Sequence, residues 1–200
     1  MPKVSEQHRE KRRDQILDAA LRCFAARGFQ RTSMADIITE SGLSAGAIYG
    51  HFDSKQQIML SVARRVLVNR MSEVAGHLGD GGALPPPSAM LRMLMSGLTS
   101  EIHDVRVLVQ LWGEAVTEPE MSELIGTIFS QVRGVMGPYL GRWAIEHRGM
   151  SAGAATAWAS DMLLVFMGMA QGYILESALL REFDAEAYLR GVGSLLDGDA

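Results

Sequence analysis

In this 200-residue chain, the stretch best suited to covalent chemistry is Gly42-Leu43-Ser44-Ala45-Gly46. It is a G-x-S-x-G pattern of the kind that can present a nucleophilic serine on a strand-to-helix turn. That chemistry needs a strand before the serine, a helix after it, and an acid and a histidine later in the chain. Here the residues before Ser44, "MADIITES", have apolar positions at helical spacing, and no β/α alternation appears anywhere. Metal chemistry has no better support. His8, His51, His77, His103 and His147 are scattered without H-E-x-x-H spacing, and Cys23 is the single cysteine. No catalytic residue, metal or other cofactor is expected, and the chain reads as a non-enzyme.

A second kind of chemistry suits the same stretch better: holding an anion without reacting with it. Thr32 and Ser33 place hydroxyls at the start of a helical segment, where free backbone N–H groups attract negative charge. Tyr49 and His51 add hydrogen-bond donors at the end of the next segment. Lys55 lies in the first turn of the one after, against the preference of the helix dipole, which a phosphate partner would explain. Charge is distributed to match. Residues 1–55 hold nine basic and seven acidic side chains, and residues 56–200 hold ten and sixteen. A weakly cationic head on an acidic body suits an anionic partner.

The elements that must position these groups are all helical. Ile16, Leu17, Ala20, Leu21 and Phe24 form one stripe ending at Gly28, giving a first helix over about 8–27. Ser33 and Asp36 cap a second helix that ends at Gly42, and Ser44 caps a third over about 44–50. Asp53 with Gln56 reads as a capping box for a fourth, running to about Leu78. Helices of seven or eight residues do not persist alone in water, so Leu43, Ile48 and Phe52 should turn inward with Ile37 and Ile38 onto the first helix. Ser44, Ala45, Gly46, Ala47 and Tyr49 are left outward, small at the leading end and open to close approach. This is a helix-turn-helix layout, whose second helix enters the major groove of DNA.

The stretch "TSMADIITESGLSAGAIYGHFDSKQQIML", preceded by "ILDAALRCFAARGF", resembles the DNA-binding domain of the tetracycline-repressor (TetR) family of bacterial transcriptional regulators. The likeness covers about residues 12–60. Gly28-Phe29, Ser41-Gly42-Leu43, Gly46, Tyr49, His51-Phe52 and Lys55 all fall in step, whereas position 50, often aromatic or charged in relatives, is Gly50. The resemblance implies a DNA-binding domain over 8–60, with its motif at about 33–52, and a ligand-sensing and dimerising domain over 61–200. It also implies phosphate contacts from Thr32, Tyr49, His51 and Lys55, and a groove surface at Ser44, Ala45, Gly46 and Ala47. Few of these make bidentate base contacts, so DNA shape and an N-terminal arm (Arg9, Lys11, Arg12, Arg13) are expected to add specificity.

Beyond a loop at 79–87, Ser88, Asp104 and Pro119 each start an amphipathic segment, and Gly137-Pro138 is expected to break or kink the last of these. Ser151 opens a long apolar run to about Leu180, and Asp184 a final helix to about Leu196. That run could be mistaken for a membrane span, but Asp161 and Gln171 interrupt it, and burial in a bundle or subunit interface explains it better. Helices 151–180 and 184–196 are expected to pair two copies into a homodimer. Ten of the thirteen methionines lie beyond residue 70, a composition suited to an adaptable apolar pocket. Trp112, Phe129, Trp158, Phe166 and Tyr173 with Met162 and Met169 are its candidate walls. His103, Asp161, Glu114 and Gln171 are candidate polar anchors. The polar Met1–Arg13 end lacks a signal peptide's apolar region, and one cysteine fits a reducing compartment, so the cytoplasm is expected. The whole reads as an all-α, ligand-responsive repressor released from a palindromic operator by a small apolar or amphipathic effector. A helical small-molecule-binding protein that never touches DNA is the alternative.

Overall fold

The computed structural model describes residues 6–79, 83–102 and 104–198, and no strand occurs among them. The elements are α1 (Glu6–Arg27), α2 (Met34–Ser41), α3 (Ala45–Tyr49), α4 (Lys55–Gly79), α5 (Pro87–Ile102), α6 (Arg106–Thr117), α7 (Pro119–Arg148), α8 (Ala152–Leu179) and α9 (Ala185–Leu196). The fold is all-α, with a three-helix head built on α1–α3 and a helical body.

Each short helix of the head ends where its sequence provides a stop or a cap. Gly28 closes α1 at φ 84° and Gly42 closes α2 at φ 67°, both in the left-handed region that glycine enters without strain. Ser33 and Asp36 form a complete capping box on α2, and the Ser44 hydroxyl accepts the Ala47 N–H on α3. The cap of α4 lies one residue later than the sequence suggested. The Ser54 hydroxyl accepts the Gln57 N–H, while the Gln57 amide oxygen takes the Asp53 N–H. Residues 53 and 56 therefore do not form the box.

The core of the head joins Ile16, Leu17 and Phe24 of α1 to Ile37, Ile48, Phe52 and Ile58. Ile37 and Ile48 are fully buried, while Leu43 and Ile38 are half-buried at its edge. This core does not stop at α4. Val107 and Leu111 of α6 and Met121 and Leu124 of α7 belong to the same cluster, so the body grips the head through apolar contact. Cys23 is buried within it, and burial raises its thiol pKa, which keeps it an unreactive packing group.

A second core is built from α5, α7, α8 and α9, around Leu91, Met136, Trp143, Phe166 and Leu189. The Asp197 carboxylate receives the Ser88 N–H at 2.9 Å, satisfying the start of α5. Arg148 donates to the Leu196 carbonyl at 2.8 Å, tying α7 to the end of α9. Pro138 does not break α7, which runs unbroken from Pro119 to Arg148. The residue before a proline normally resists helical geometry because its Cβ meets the ring. Gly137 has no Cβ, which removes that obstacle.

Candidate nucleic-acid interface and effector cavity

The interface begins with the turn that presents α3. The Ser41 hydroxyl accepts the Leu43 N–H at 3.3 Å, and the Ser41 carbonyl receives the Gln15 amide of α1 at 2.9 Å, so the turn is fixed to the long helix behind it. Ile48 anchors α3 from inside. On the outside Ser44, Ala45 and Gly46 are exposed, Ala47 is half-buried, and Tyr49 is 50% exposed. A Cβ built on Gly46 meets nothing within 4 Å. No internal packing therefore requires a glycine there, although it costs about 1 kcal/mol of helix propensity relative to alanine. The α2 segment before Ser44 is helical, which removes the strand that a serine nucleophile would need.

His51, half-buried at the far end of α3, lies near Arg9 and Arg13 of α1. Burial first, then these two guanidinium charges, lowers its pKa. Arg13 also donates to the Ser61 hydroxyl at 3.0 Å and sits 5.5 Å from the Phe52 ring centre. The sequence reading placed Arg9, Lys11, Arg12 and Arg13 in an N-terminal arm. All four lie within α1, consistent with the first helix expected over about 8–27, and the charges of Arg9 and Arg13 act on His51 at the end of α3.

Two expected phosphate contacts have other duties here. Thr32 is 2% exposed, and its hydroxyl donates to the carbonyls of Gly28 (2.8 Å) and Cys23 (3.2 Å), closing the end of α1. Its side chain faces the protein. The Lys55 ammonium donates to the Phe29 carbonyl at 2.7 Å and the Gln30 carbonyl at 3.3 Å, and lies 4.4 Å from the Phe29 ring centre. Burial lowers its pKa, with Glu114 opposing. Carbonyls of the α1–α2 loop account for a cation in the first turn of α4. Ser33 remains exposed at the start of α2, its hydroxyl engaged in the capping box.

That same loop is held by the body. Gln110 of α6 accepts the Phe29 N–H at 2.7 Å, and Glu114 of α6 accepts the Gln30 side-chain amide. The other face of α6 presents Leu108, Leu111 and Trp112 to a cavity of about 160 Å³ between α4, α5, α6, α7 and α8. Of the expected wall residues, Trp112, Phe129 and Phe166 line it, as does Gln171. The others lie elsewhere. Trp158 stacks on Trp143 at 5.9 Å, with Arg148 at 4.8 Å from its ring. Tyr173 packs edge-on against Phe183 and Tyr188. Met162 and Met169 support the second core, Asp161 is exposed, and His103 lies outside the described residues. Sequence reasoning missed Val66 and Arg70 of α4, which also line the cavity. Their spacing of four was a signal for one shared helical face.

Much of the apolar surface of α8 is uncovered. By length and composition it could cross a membrane, yet only 22% of its most apolar window is buried. Leu164 (66%) and Leu179 (67%) of α8 and Leu195 (68%) of α9 are exposed. Among the described residues no cluster of His, Cys, Asp or Glu could hold a metal ion.

Residues 16–62 match the family model for bacterial regulatory proteins of the tetR family. An HTH-type transcriptional repressor of Mycobacterium tuberculosis is 43% identical over 84 residues, 42% of this chain and 44% of the relative. The HTH-type transcriptional regulator YfiR of Bacillus subtilis is 32% identical over 104 residues, 52% and 49% of the two chains. The chain thus spans about half the length of the curated relatives it matches. A transcriptional regulator from Saccharomonospora viridis, solved in complex with choline, superposes with a TM-score of 0.69 at 18% identity, covering 93% of this chain and 95% of that one. At that identity the likeness is one of fold.

Proposed function

We propose, from the match of residues 16–62 to the tetR family of bacterial regulatory proteins, that the chain is a member of that family and a ligand-responsive transcriptional repressor acting as a homodimer on a palindromic operator. The observation that carries this reading is the outward face of α3: Ser44, Ala45, Gly46 and Ala47, without bulk, on a helix buried behind by Ile48. A face of that kind admits a groove floor close to the backbone. Tyr49, His51 and Ser33 flank it, with Arg9 and Arg13 on the adjoining helix, and these are the groups we assign to the phosphates. Thr32 and Lys55 support them from inside. We take 8–60 as the DNA-binding domain and 61–200 as the sensing and dimerising domain, working in the cytoplasm.

Two copies packed through α8 and α9 would cover the exposed leucines of both helices and form a four-helix bundle. Such a dimer meets half-sites about 34–36 Å apart, one turn of the duplex. The effector would occupy the cavity. From there α4 runs directly to the head, and α6 carries the Gln110 and Glu114 contacts to the α1–α2 loop. Both helices would therefore couple the two sites. Coupling of this kind is typically about 1–3 kcal/mol, and near-complete release needs about 5.5 kcal/mol of differential binding.

The test is a gel shift with DNA flanking the chain's own gene. A discrete complex at low salt that survives competitor DNA supports the proposal. A folded protein with no preference for any duplex would leave only a small-molecule-binding helical protein.

A further inference from the structure

Resting on the reading of the cavity as the effector site, we propose that the effector is an uncharged apolar molecule about the size of one substituted ring, carrying a single hydrogen-bond acceptor that faces Gln171. The walls supplied by Val66, Leu108, Trp112, Ile128, Phe129 and Phe166 are hydrocarbon and aromatic. Among the described residues lining it, Gln171 and Arg70 carry the polar side-chain groups besides the Trp112 indole, and none is acidic. A cation entering this space would lose its hydration with no carboxylate among the described wall residues to replace it.

The arginine does not make the cavity an anion site. Its guanidinium lies against the α5 backbone at Gly97, where any Cβ would run into it, and donates to the Glu73 carboxylate at 2.6 Å. The Arg70 side chain is only 11% exposed while Glu73 is 54% exposed, so the positive charge is met from the rim by an acid on its own helix. The ion pair leaves the Arg70 wall with little net charge, and a carboxylate placed there would compete with Glu73 for the guanidinium. Gln171 is different. A neutral amide offers a donor to a carbonyl, ether or hydroxyl oxygen at no cost in charge burial. The size follows from the space, since an apolar cavity of about 150 Å³ admits benzene.

Four ring compounds of matched bulk test this by titration calorimetry on the full-length protein: acetophenone, ethylbenzene, benzoate and benzyltrimethylammonium. Acetophenone is expected to bind at least tenfold more tightly than benzoate or the ammonium compound, and several-fold more tightly than ethylbenzene. Gln171→Leu should bring acetophenone to the level of ethylbenzene and leave ethylbenzene unchanged. The wild-type series stands alone if that variant fails to fold. Benzoate binding as tightly as acetophenone, the cation binding best, or none of the four binding overturns the proposal. Acetophenone binding as described without weakening the operator complex would instead remove the effector reading and leave the chemistry of the cavity intact.

Discussion

Lys55 and His51 lie within four residues of each other, yet the structure divides their work. Lys55 closes two carbonyls of the α1–α2 loop, and charge-assisted bonds of that kind contribute about 1.5–3 kcal/mol, less where the cation is partly hydrated. Lys55→Met should therefore lower the melting temperature and weaken DNA binding while changing the logarithmic salt slope by well under one, measured by anisotropy from 50 to 200 mM salt. A true phosphate contact would reduce that slope by about one. His51 should behave in the opposite way. Burial, Arg9 and Arg13 favour its neutral form in the free protein, whereas a bound phosphate favours the imidazolium. Operator binding would then take up a proton, so affinity should rise as pH falls from 8 to 6. His51→Gln should flatten that dependence without changing the fold, and an unchanged pH profile would remove His51 from the interface.

At the scale of the helix, local signals in the sequence carry a long way. The αL glycines at 28 and 42, the hydroxyl caps at 33 and 44, and the i, i+4 stripe of α1 act within one turn of the chain, and they place the head to within a residue or two. The inference fails where the deciding contact is remote. The duty of Lys55 depends on a loop 25 residues earlier, and that of Gln110 on one 81 residues earlier. Neither spacing leaves a periodic trace. The aromatic residues of the body were visible as a set, but packing alone sorts Trp112 into the cavity and Trp158 onto Trp143. Pro138 misled for a local reason, because the effect of Gly137 offsets the usual break. Its ring still removes one helical hydrogen bond, so Pro138→Ala should raise stability by about 1–3 kcal/mol in denaturant unfolding. Gln110→Ala is expected to leave effector affinity nearly unchanged and to reduce release of DNA by the effector at least several-fold, if α6 transmits the signal.

For the whole molecule, the proposed function needs the head in pairs, and the apolar faces of α8 and α9 are where a second copy is proposed to lie. Leu164→Glu combined with Leu179→Glu should give a folded monomer in sedimentation velocity, with operator affinity reduced at least a hundredfold. A dimer that persists would move the interface elsewhere. The account as a whole depends on how near the backbone of α3 comes to another surface, and Gly46→Leu reads this most directly. A side chain there has open space in the free protein and gains about 0.5–1 kcal/mol of helix propensity, so the melting temperature should hold or rise. Anisotropy titration of the flanking duplex against a scrambled one should show specific affinity falling at least a hundredfold while weak salt-dependent binding persists. Specific affinity equal to the parent's, in an equally stable protein, would contradict a groove-seated α3.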